Sequence, residues 1–464
     1  MTFSRFIGGI ILTSCYRVLD LFAGIGGLSY GFELVKSPNG RPAFELVCAV
    51  EKDHYACETL RVNLKHRGRN PDVILEADLT DPETHREIIK RCRGRVDIII
   101  GGPPCQSFSS IGARSAAWPV RQKWLEDDRD RLYLEYARLV KELKPAFLVF
   151  ENVQGILTKK DSAGNRYIDL VVRAIKDCGY TTSFSDHSAD YIELNAADYG
   201  VPQIRERVFI IANRFGINNP CPKKTHSPDG KGLLPYVTLF DAIGDLPFVQ
   251  AHITSAGLPT EKKQEIASLN KYRYRGQDDM PYHWEQFYAH YARVGLQGQQ
   301  FLDFIKPARR DARLTGHVAR GQQQSDIELF ERMPPGCTSK EIFYGSDPEL
   351  KKLRVLIKYD MESFRDKYRK HSWNKPCTTV FAHLQKDGNR FIHPDSRQAR
   401  TFTVREVARI QSFPDDFIFT APGNVRYKYI GNAVPPLLAK AIGRAIYEVL
   451  ESYTIVQEHS LEIR

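Results

Sequence analysis

Four side chains, each placed beside an aliphatic run, could do chemistry together. They are Cys105 in Gly101-Gly-Pro-Pro-Cys-Gln-Ser-Phe-Ser-Ser110, Glu151 in Glu151-Asn-Val153, and Arg205 and Arg207 in Gln203-Ile-Arg-Glu-Arg207. Most buried cysteines are inert fillers. Pro103 and Pro104, however, fix the turn and remove backbone donors, which would hold the Cys105 thiol rigidly where the run Val96–Ile100 ends. A free thiol titrates at ~8.5 and must be helped to ionise before it attacks. Glu151 ends the run Phe147–Phe150. A carboxyl there is costly unless it binds something, and a desolvated Glu with a raised pKa can donate a proton. Arg205 and Arg207 are two residues apart, so on a strand they share a face. Arg205 could steady a substrate carbonyl or phosphate while Arg207 pairs with an acid; the alternative is an exposed strand edge. A cysteine, a glutamate and an arginine at one crevice fit nucleophilic attack on an electrophilic heterocycle.

A second set of residues points to a nucleoside cofactor. Phe22-Ala-Gly24-Ile-Gly26-Gly27-Leu-Ser-Tyr-Gly31 follows the first run, and its glycines would let the backbone approach a ligand. No Lys-Ser/Thr pair follows, so this is not a P-loop, and Ser29 stands where the dinucleotide fingerprint has its third glycine. Alone, the loop is a cofactor site or a tight turn. Glu51, ending the second run, is placed to accept hydrogen bonds from ribose hydroxyls, and Asp78 after the third could bind the base or another polar group of the same ligand. Either carboxylate could instead cap a helix.

Positioning these groups requires an α/β sheet. Strands are expected at 17–22, 44–50, 73–75, 96–100, 147–150 and 207–212, alternating with helical patterns such as Leu132, Tyr136, Leu139, Val140 and Leu143. In a parallel sheet, ligands sit in the crevice outside the carboxyl ends of the strands, where all the residues above fall. From about Ala251 the alternation is lost and Arg, Lys, Tyr, Gln and His dominate, as in Lys271-Tyr-Arg-Tyr-Arg275, Arg309-Arg310, Gly316-His-Val-Ala-Arg320 and Phe364-Arg-Asp-Lys-Tyr-Arg-Lys370. One charged cluster is usually a solvated face, but several interleaved with aromatics favour a nucleic-acid surface. Regularity returns with Thr403-Val-Arg-Glu406, a capping box, and a final helix from Pro435-Pro436. The division is an N-terminal extension over 1–16, a catalytic and cofactor-binding domain over 17–250, a smaller irregular insert over 251–395, and a return over 396–464 that completes the catalytic domain.

The 464 residues and 42% hydrophobic content are those of a globular protein with room for more than one core. The net charge of +10 and pI near 9.0 suit a polyanionic partner. Nine scattered cysteines without a CxxC pair or zinc spacing indicate a reduced, intracellular protein without a structural metal. The apolar start MTFSRFIGGIILTSC is too short for a convincing leader, and no stretch approaches a membrane span.

The ordered segments DLFAGIGGLSYGF, PPCQSFS, ENV, QIRERVFIIA and GNAVPPLLA resemble the blocks of the DNA (cytosine-5)-methyltransferases, and AVEKDHYA, EADLTD, LYLEYARLVKELKP and TVREVARIQSFPDDF agree. The resemblance covers about the first 215 residues and the last 65. It implies a Rossmann-like S-adenosylmethionine-binding α/β domain, mostly parallel with helices on both faces, plus a target-recognition insert. It also implies double-stranded DNA whose target cytosine is flipped out of the stack. By the same resemblance Cys105 adds to C6 of cytosine, Glu151 contacts N3 and the exocyclic amine, Arg205 holds the base and Arg207 supports the site. Phe22, Gly24, Gly26, Gly27, Glu51, Asp78, Pro104, Asn432, Ala433 and Val434 line the cofactor pocket, and no metal is needed.

Two departures stand out. Lys52 occupies a position where several relatives carry an aromatic residue, and the loop after Cys105, with Trp118 and Trp124, is long enough to fold over DNA. The architecture is similar to the modification half of a restriction system. That implies a cytoplasmic monomer protecting host DNA, with an endonuclease acting on the same site. Gly316–Arg320 is the expected contact element. The alternatives are methylation of tRNA by the same fold, a non-catalytic DNA-binding protein, and a nicotinamide enzyme, which would have no use for Pro104-Cys105.

Overall fold

Aliphatic runs without alternation belong to strands covered on both faces. The computed structural model describes residues 5–7, 10–12, 15–103, 132–185, 188–359 and 367–462. Its first ten strands are β1 (Arg5–Ile7), β2 (Ile10–Leu12), β3 (Tyr16–Leu21), β4 (Phe44–Glu51), β5 (Ile74–Glu76), β6 (Ile98–Gly101), β7 (Phe147–Asn152), β8 (Ile192–Asn195), β9 (Gln203–Ile204) and β10 (Glu206–Asn213). Seven make one sheet in the order β5-β4-β3-β6-β7-β10-β8. The first five are mutually parallel, and β10 runs antiparallel to β7 and β8. The fold is the mostly parallel α/β sheet expected. Between β3 and β6 the strand order reverses, which opens a ligand crevice at their carboxyl ends.

Helices cover both faces. Leu19, Leu21, Cys48, Val50, Ile99, Leu148 and Phe150 pack with residues of the helices Pro82–Cys92, Leu132–Leu143 and Tyr167–Asp177. Leu46, Ala49 and Ile74 pack with Cys57, Leu60 and Leu64 of His54–His66 on the other face. Leu46 and Cys48 fall on opposite faces although they are two apart. The reason is a bulge: Val18 pairs with Leu46 and Leu19 with Cys48, so Val47 is extra and shifts the alternation. Burying a residue such as Ile99 completely is worth roughly 1.5–3 kcal/mol. Tyr136 adds a polar pin, with its buried hydroxyl 3.2 Å from the Ile99 carbonyl and 3.1 Å from that of Val149, so one phenol ties β6 to β7.

By internal contacts the chain divides into a unit of 1–199, 205–225 and 433–464 and a unit of 200–204 and 226–432. The backbone of the N-terminal segment pairs β1 with β2 antiparallel. In the first unit the helix Pro436–Glu462 packs on the helix Gly27–Glu33, burying Leu438, Ile442, Ala445, Ile446 and Leu450, with Val449 half-buried.

The second unit is more regular than its composition predicts. Helices Thr260–Asn270, Trp284–Tyr291, Leu296–Ile305 and Gln324–Arg332 cross it. Ile266, Ile327, Leu329, Phe330 and Met333 build a core of its own. Charged residues between these apolar positions obscure their period. Residues 226–250 and 396–432, expected with the catalytic domain, cluster here instead, and two buried ion networks run through them. Arg400 makes a two-pronged pair with Glu406 at 2.7 and 2.6 Å, and Glu406 also completes the capping box with Thr403. Arg409 reaches Asp245 at 2.5 Å and Asp415 at 2.7 Å. Among the described residues no helix is long and apolar enough to cross a membrane, and no group of three or more His, Cys, Asp or Glu could hold a metal.

Candidate active site

The carboxyl end of β7 delivers Glu151 into a partly enclosed position, its side chain 12% exposed. The neighbouring segment lies close to it: a Cβ built on Gly102 would stand 2.7 Å from Glu151 Oε2, so an added methyl would displace that carboxylate. Asn152 Nδ2 donates to the Pro103 carbonyl at 3.4 Å and fastens the chain leaving β6. Sequence reasoning passed over Asn152, although an amide at a strand end beside a proline-rich turn was the available signal. Pro104, Cys105, Trp118 and Trp124 lie outside the described residues.

Arg205 and Arg207 come to the same carboxylate from β10 and the residue before it. Burial alternates along 203–207, with Gln203, Arg205 and Arg207 inside and Ile204 and Glu206 out, so the two arginines share a face as their spacing predicts. The Arg207 Nε lies 3.3 Å from Glu151 Oε1. Burial pushes the Glu151 pKa up, opposed by the charges of Arg207 and then Arg205. A carboxyl so placed holds its proton to higher pH than a surface glutamate and can give it to a base. Arg205 Nη2 donates at 3.1 Å to the carbonyl of Ala433, tying this strand edge to the segment Ala433-Val434. Gln203 serves the second unit: its Nε2 donates to Gln411 Oε1 at 2.8 Å and its Oε1 accepts from Val380 N at 2.8 Å.

The glycine loop is built around Glu51. Gly24 N donates to Glu51 Oε2, while Lys52 N and Asp53 N donate to Oε1, all at 2.9 Å. Three amides orient the carboxylate, and a carboxylate accepts about four hydrogen bonds, leaving acceptor capacity for a ligand hydroxyl. Phe22 and Gly24 both have left-handed backbone, at φ 59° and 55°. That costs the phenylalanine of order 1–3 kcal/mol, the kind of strain that collects at ligand sites. A Cβ on Gly24 would meet nothing within 4 Å, so the loop leaves open space there. A Cβ on Gly27 would strike the Val434 carbonyl at 2.2 Å, and one on Gly26 would strike Leu60. Loop and C-terminal segment are therefore in contact at Gly27, Ala433 and Val434. Asn432, at the end of the helix Val425–Asn432, directly precedes Ala433 in the chain.

Asp78 stands after β5 with its carboxylate 3.2 Å from the Lys52 ammonium. Lys52 thus supplies an ionic partner to Asp78 in place of an aromatic surface, a pairing the sequence did not reveal. Asp20, two residues before Phe22, is buried against Ser29, and one of its carboxylate oxygens has no hydrogen-bond partner among the described residues. Burial pushes its pKa up to about 7, and the nearby Glu51 charge adds to the rise. Glu51 and Asp78 as acceptors, an open glycine turn and a strained Phe22 suit a nucleoside with a cationic or polar tail.

The expected contact element Gly316–Arg320 is absorbed into packing. His317 is fully buried, with Nδ1 3.1 Å from Thr403 Oγ1 and Nε2 2.8 Å from the Pro247 carbonyl. Arg320 donates to the Leu384 carbonyl at 2.8 Å and lies over the Tyr427 ring. Of the other clusters, Arg309 pairs with Asp311, Lys367 pairs with Asp387, and Lys370 is buried against the Phe330 carbonyl and Ser396, while 364–366 are outside the described residues.

Residues 16–448 match the family model described as C-5 cytosine-specific DNA methylase. Among curated proteins, the chain is 32% identical to the type II methyltransferase M.DdeI of Desulfomicrobium norvegicum, covering 97% of this chain and 92% of that protein. It is 31% identical to M.AgeI of Thalassovita gelatinovora, covering 93% and 99%. A crystal structure of a prophage-encoded DNA modification methyltransferase from E. coli has a TM-score of 0.57 at 23% identity, covering 94% of this chain and 99% of that one, which is a likeness of fold.

Proposed function

Because the chain belongs to the C-5 cytosine-specific DNA methylase family, we propose that Cys105, Glu151, Arg205 and Arg207 are its catalytic group and that the glycine loop with Glu51 and Asp78 holds its methyl donor. The protein is a DNA (cytosine-5-)-methyltransferase, a site-specific modification enzyme of the restriction-modification kind. S-adenosylmethionine, when bound, supplies the methyl group that ends on C5. Phe22, Gly24, Gly26, Gly27, Pro104, Asn432, Ala433 and Val434 would surround it, with Glu51 on its ribose.

The chain's own residues set up the acceptor. The Cys105 thiolate adds to C6 of a flipped-out cytosine, which makes C5 electron-rich. The protonated Glu151 carboxyl hydrogen-bonds N3 and takes up the charge that the ring would otherwise carry. Arg205 holds the base, and Arg207 keeps Glu151 oriented. Once C5 is methylated, loss of the C5 proton re-forms the double bond and expels the thiolate.

The observation that carries this reading is the convergence of Arg207 on Glu151 beside Gly102, three residues before Cys105, with Arg205 bonded to the segment that closes the glycine loop. The target-recognition region is 251–395. The working form is a cytoplasmic monomer protecting host DNA from an endonuclease that cuts the same sequence. Bisulfite sequencing of DNA from cells expressing the wild type or Cys105→Ala tests the assignment. The expected result is one short motif methylated by the wild type and none by the variant; methylation by a soluble Cys105→Ala variant would remove Cys105 from its role.

A further inference from the structure

The segment Lys271–Arg275 carries three cations in five residues, and no acid lies between Ile266 and Gln277. Its backbone is held firmly within the second unit. Gln250 N donates to the Tyr274 carbonyl at 2.7 Å, Ala319 N to that of Arg275 at 2.9 Å, and a His252 ring nitrogen lies 2.7 Å from that of Arg273. Asn270 brackets Ile253, its Oδ1 accepting from the backbone N–H and its Nδ2 donating to the carbonyl. Gly276 closes the segment at φ 88°, where a Cβ would come 2.5 Å from the His317 carbonyl.

On this support Arg273 turns to the protein. It donates to the Ala251 carbonyl and lies 3.6 Å from Glu331. Tyr272 and Tyr274 turn outward, 83% and 47% exposed. Lys271 and Arg275 are exposed and have no acidic partner among the described residues, although Arg275 Nε donates to the Ala319 carbonyl at 2.9 Å. The next two acids are neutralised from within: Asp278 accepts from Gly316 N and pairs with Arg426, and Asp279 pairs with Arg313. The result is a rigid patch of two open phenols flanked by uncompensated cations. Phenol rings lie against sugars and base edges while cations meet phosphates, which is the complement of a nucleic-acid groove wall.

We propose that Lys271, Tyr272, Tyr274 and Arg275 form a DNA-contact element of this chain, with Arg273 a positioning residue that anchors it. The proposal rests on the reading of the chain as a DNA methyltransferase and commits to duplex DNA as the occupant. The test uses the full chain, a duplex containing the motif found by bisulfite sequencing, and fluorescence anisotropy at several salt concentrations. Y272A/Y274A is expected to weaken DNA binding about tenfold or more, by analogy with the loss of aromatic contacts to bases. K271A/R275A is expected to reduce the slope of log K against log salt by about 2, roughly one per phosphate contact. S-adenosylmethionine affinity, measured by calorimetry, stays unchanged in both. A second variant, Y272E, touches only the most exposed ring and places a negative charge against the phosphates, and an unfolding midpoint equal to that of wild type separates its loss of affinity from loss of fold. Wild-type affinity and salt slope in all three variants would overturn the proposal and leave the enzyme reading intact. A wild-type chain that binds and methylates no DNA would overturn both.

Discussion

Replacing Asp20 by asparagine should flatten one part of the dependence of stability on pH. Asp20 is 1% exposed, and its pKa is pushed up to about 7 by burial, with Ser29 hydrogen bonds opposing and Glu51 reinforcing the rise. In the unfolded chain the same group titrates near ~3.9. Between these values the folded state holds a proton that the unfolded state has lost, so stability falls as pH rises from about 4 and levels off above about 7. One pKa unit is worth ~1.4 kcal/mol, so the full penalty is on the order of 4 kcal/mol, and roughly 2 kcal/mol of it accrues between pH 5 and pH 7. Asparagine keeps the shape and cannot ionise. Its amide hydrogens cost something when buried, but that offset is independent of pH. The assay is thermal unfolding of wild type and Asp20→Asn at pH 5, 6, 7 and 8. The gap between their midpoints should move in the variant's favour by about 2 °C from pH 5 to pH 7 and little thereafter. Parallel curves over that range would refute the argument that the carboxyl is driven towards its neutral form.

Glu151→Gln should retain cofactor and DNA binding but lose about 10²–10⁴-fold in kcat, the usual worth of a positioned proton donor, as single-turnover methyl transfer would show. Gly27→Ala places a methyl 2.2 Å from the Val434 carbonyl. Backbone there must shift, so calorimetry should show S-adenosylmethionine affinity reduced tenfold or more with DNA affinity kept. In the second unit, burial lowers the pKa of His317 to about 4 and of His371 and His393 to about 3. All three lie below the unfolded value of ~6.5, so the stability they confer is present above that pH and lost as pH falls towards 4. Unfolding midpoints of His393→Gln, compared with wild type from pH 7 to pH 4, should diverge less steeply with acid; an unchanged slope would exclude this histidine from the transition.

The sheet and the residues at its edge were legible in the sequence because buried parallel strands declare themselves as unbroken aliphatic runs. Glu51, Glu151 and Arg205 follow or precede such runs, so their edge position was readable before any coordinates. Boundaries slipped by a residue or two where strand ends are polar, as at Asn152. β8 escaped notice because Glu193 interrupts it. The second unit was read least well. Two of its helices, Thr260–Asn270 and Gln324–Arg332, carry more charges than apolar residues, and its basic clusters gave no sign of which cations would be spent internally. Lys370 meets Phe330 and Ser396, and His317 meets Pro247 and Thr403, all from distant segments. Local composition carries no record of such partners. Lys52 with Asp78 is the same lesson in the cofactor region, since the pair is made only when β4 and β5 lie side by side.

The contact of Gly27 with Val434 also bears on how the enzyme is made. The two residues are about 400 positions apart, and a ribosome adding about 5–20 residues per second takes on the order of half a minute or more to travel between them. Through that interval the glycine loop exists without the segment that covers it, and the helix Gly27–Glu33 without the one it packs on. A chain that has not yet reached Val434 therefore lacks one wall of that loop.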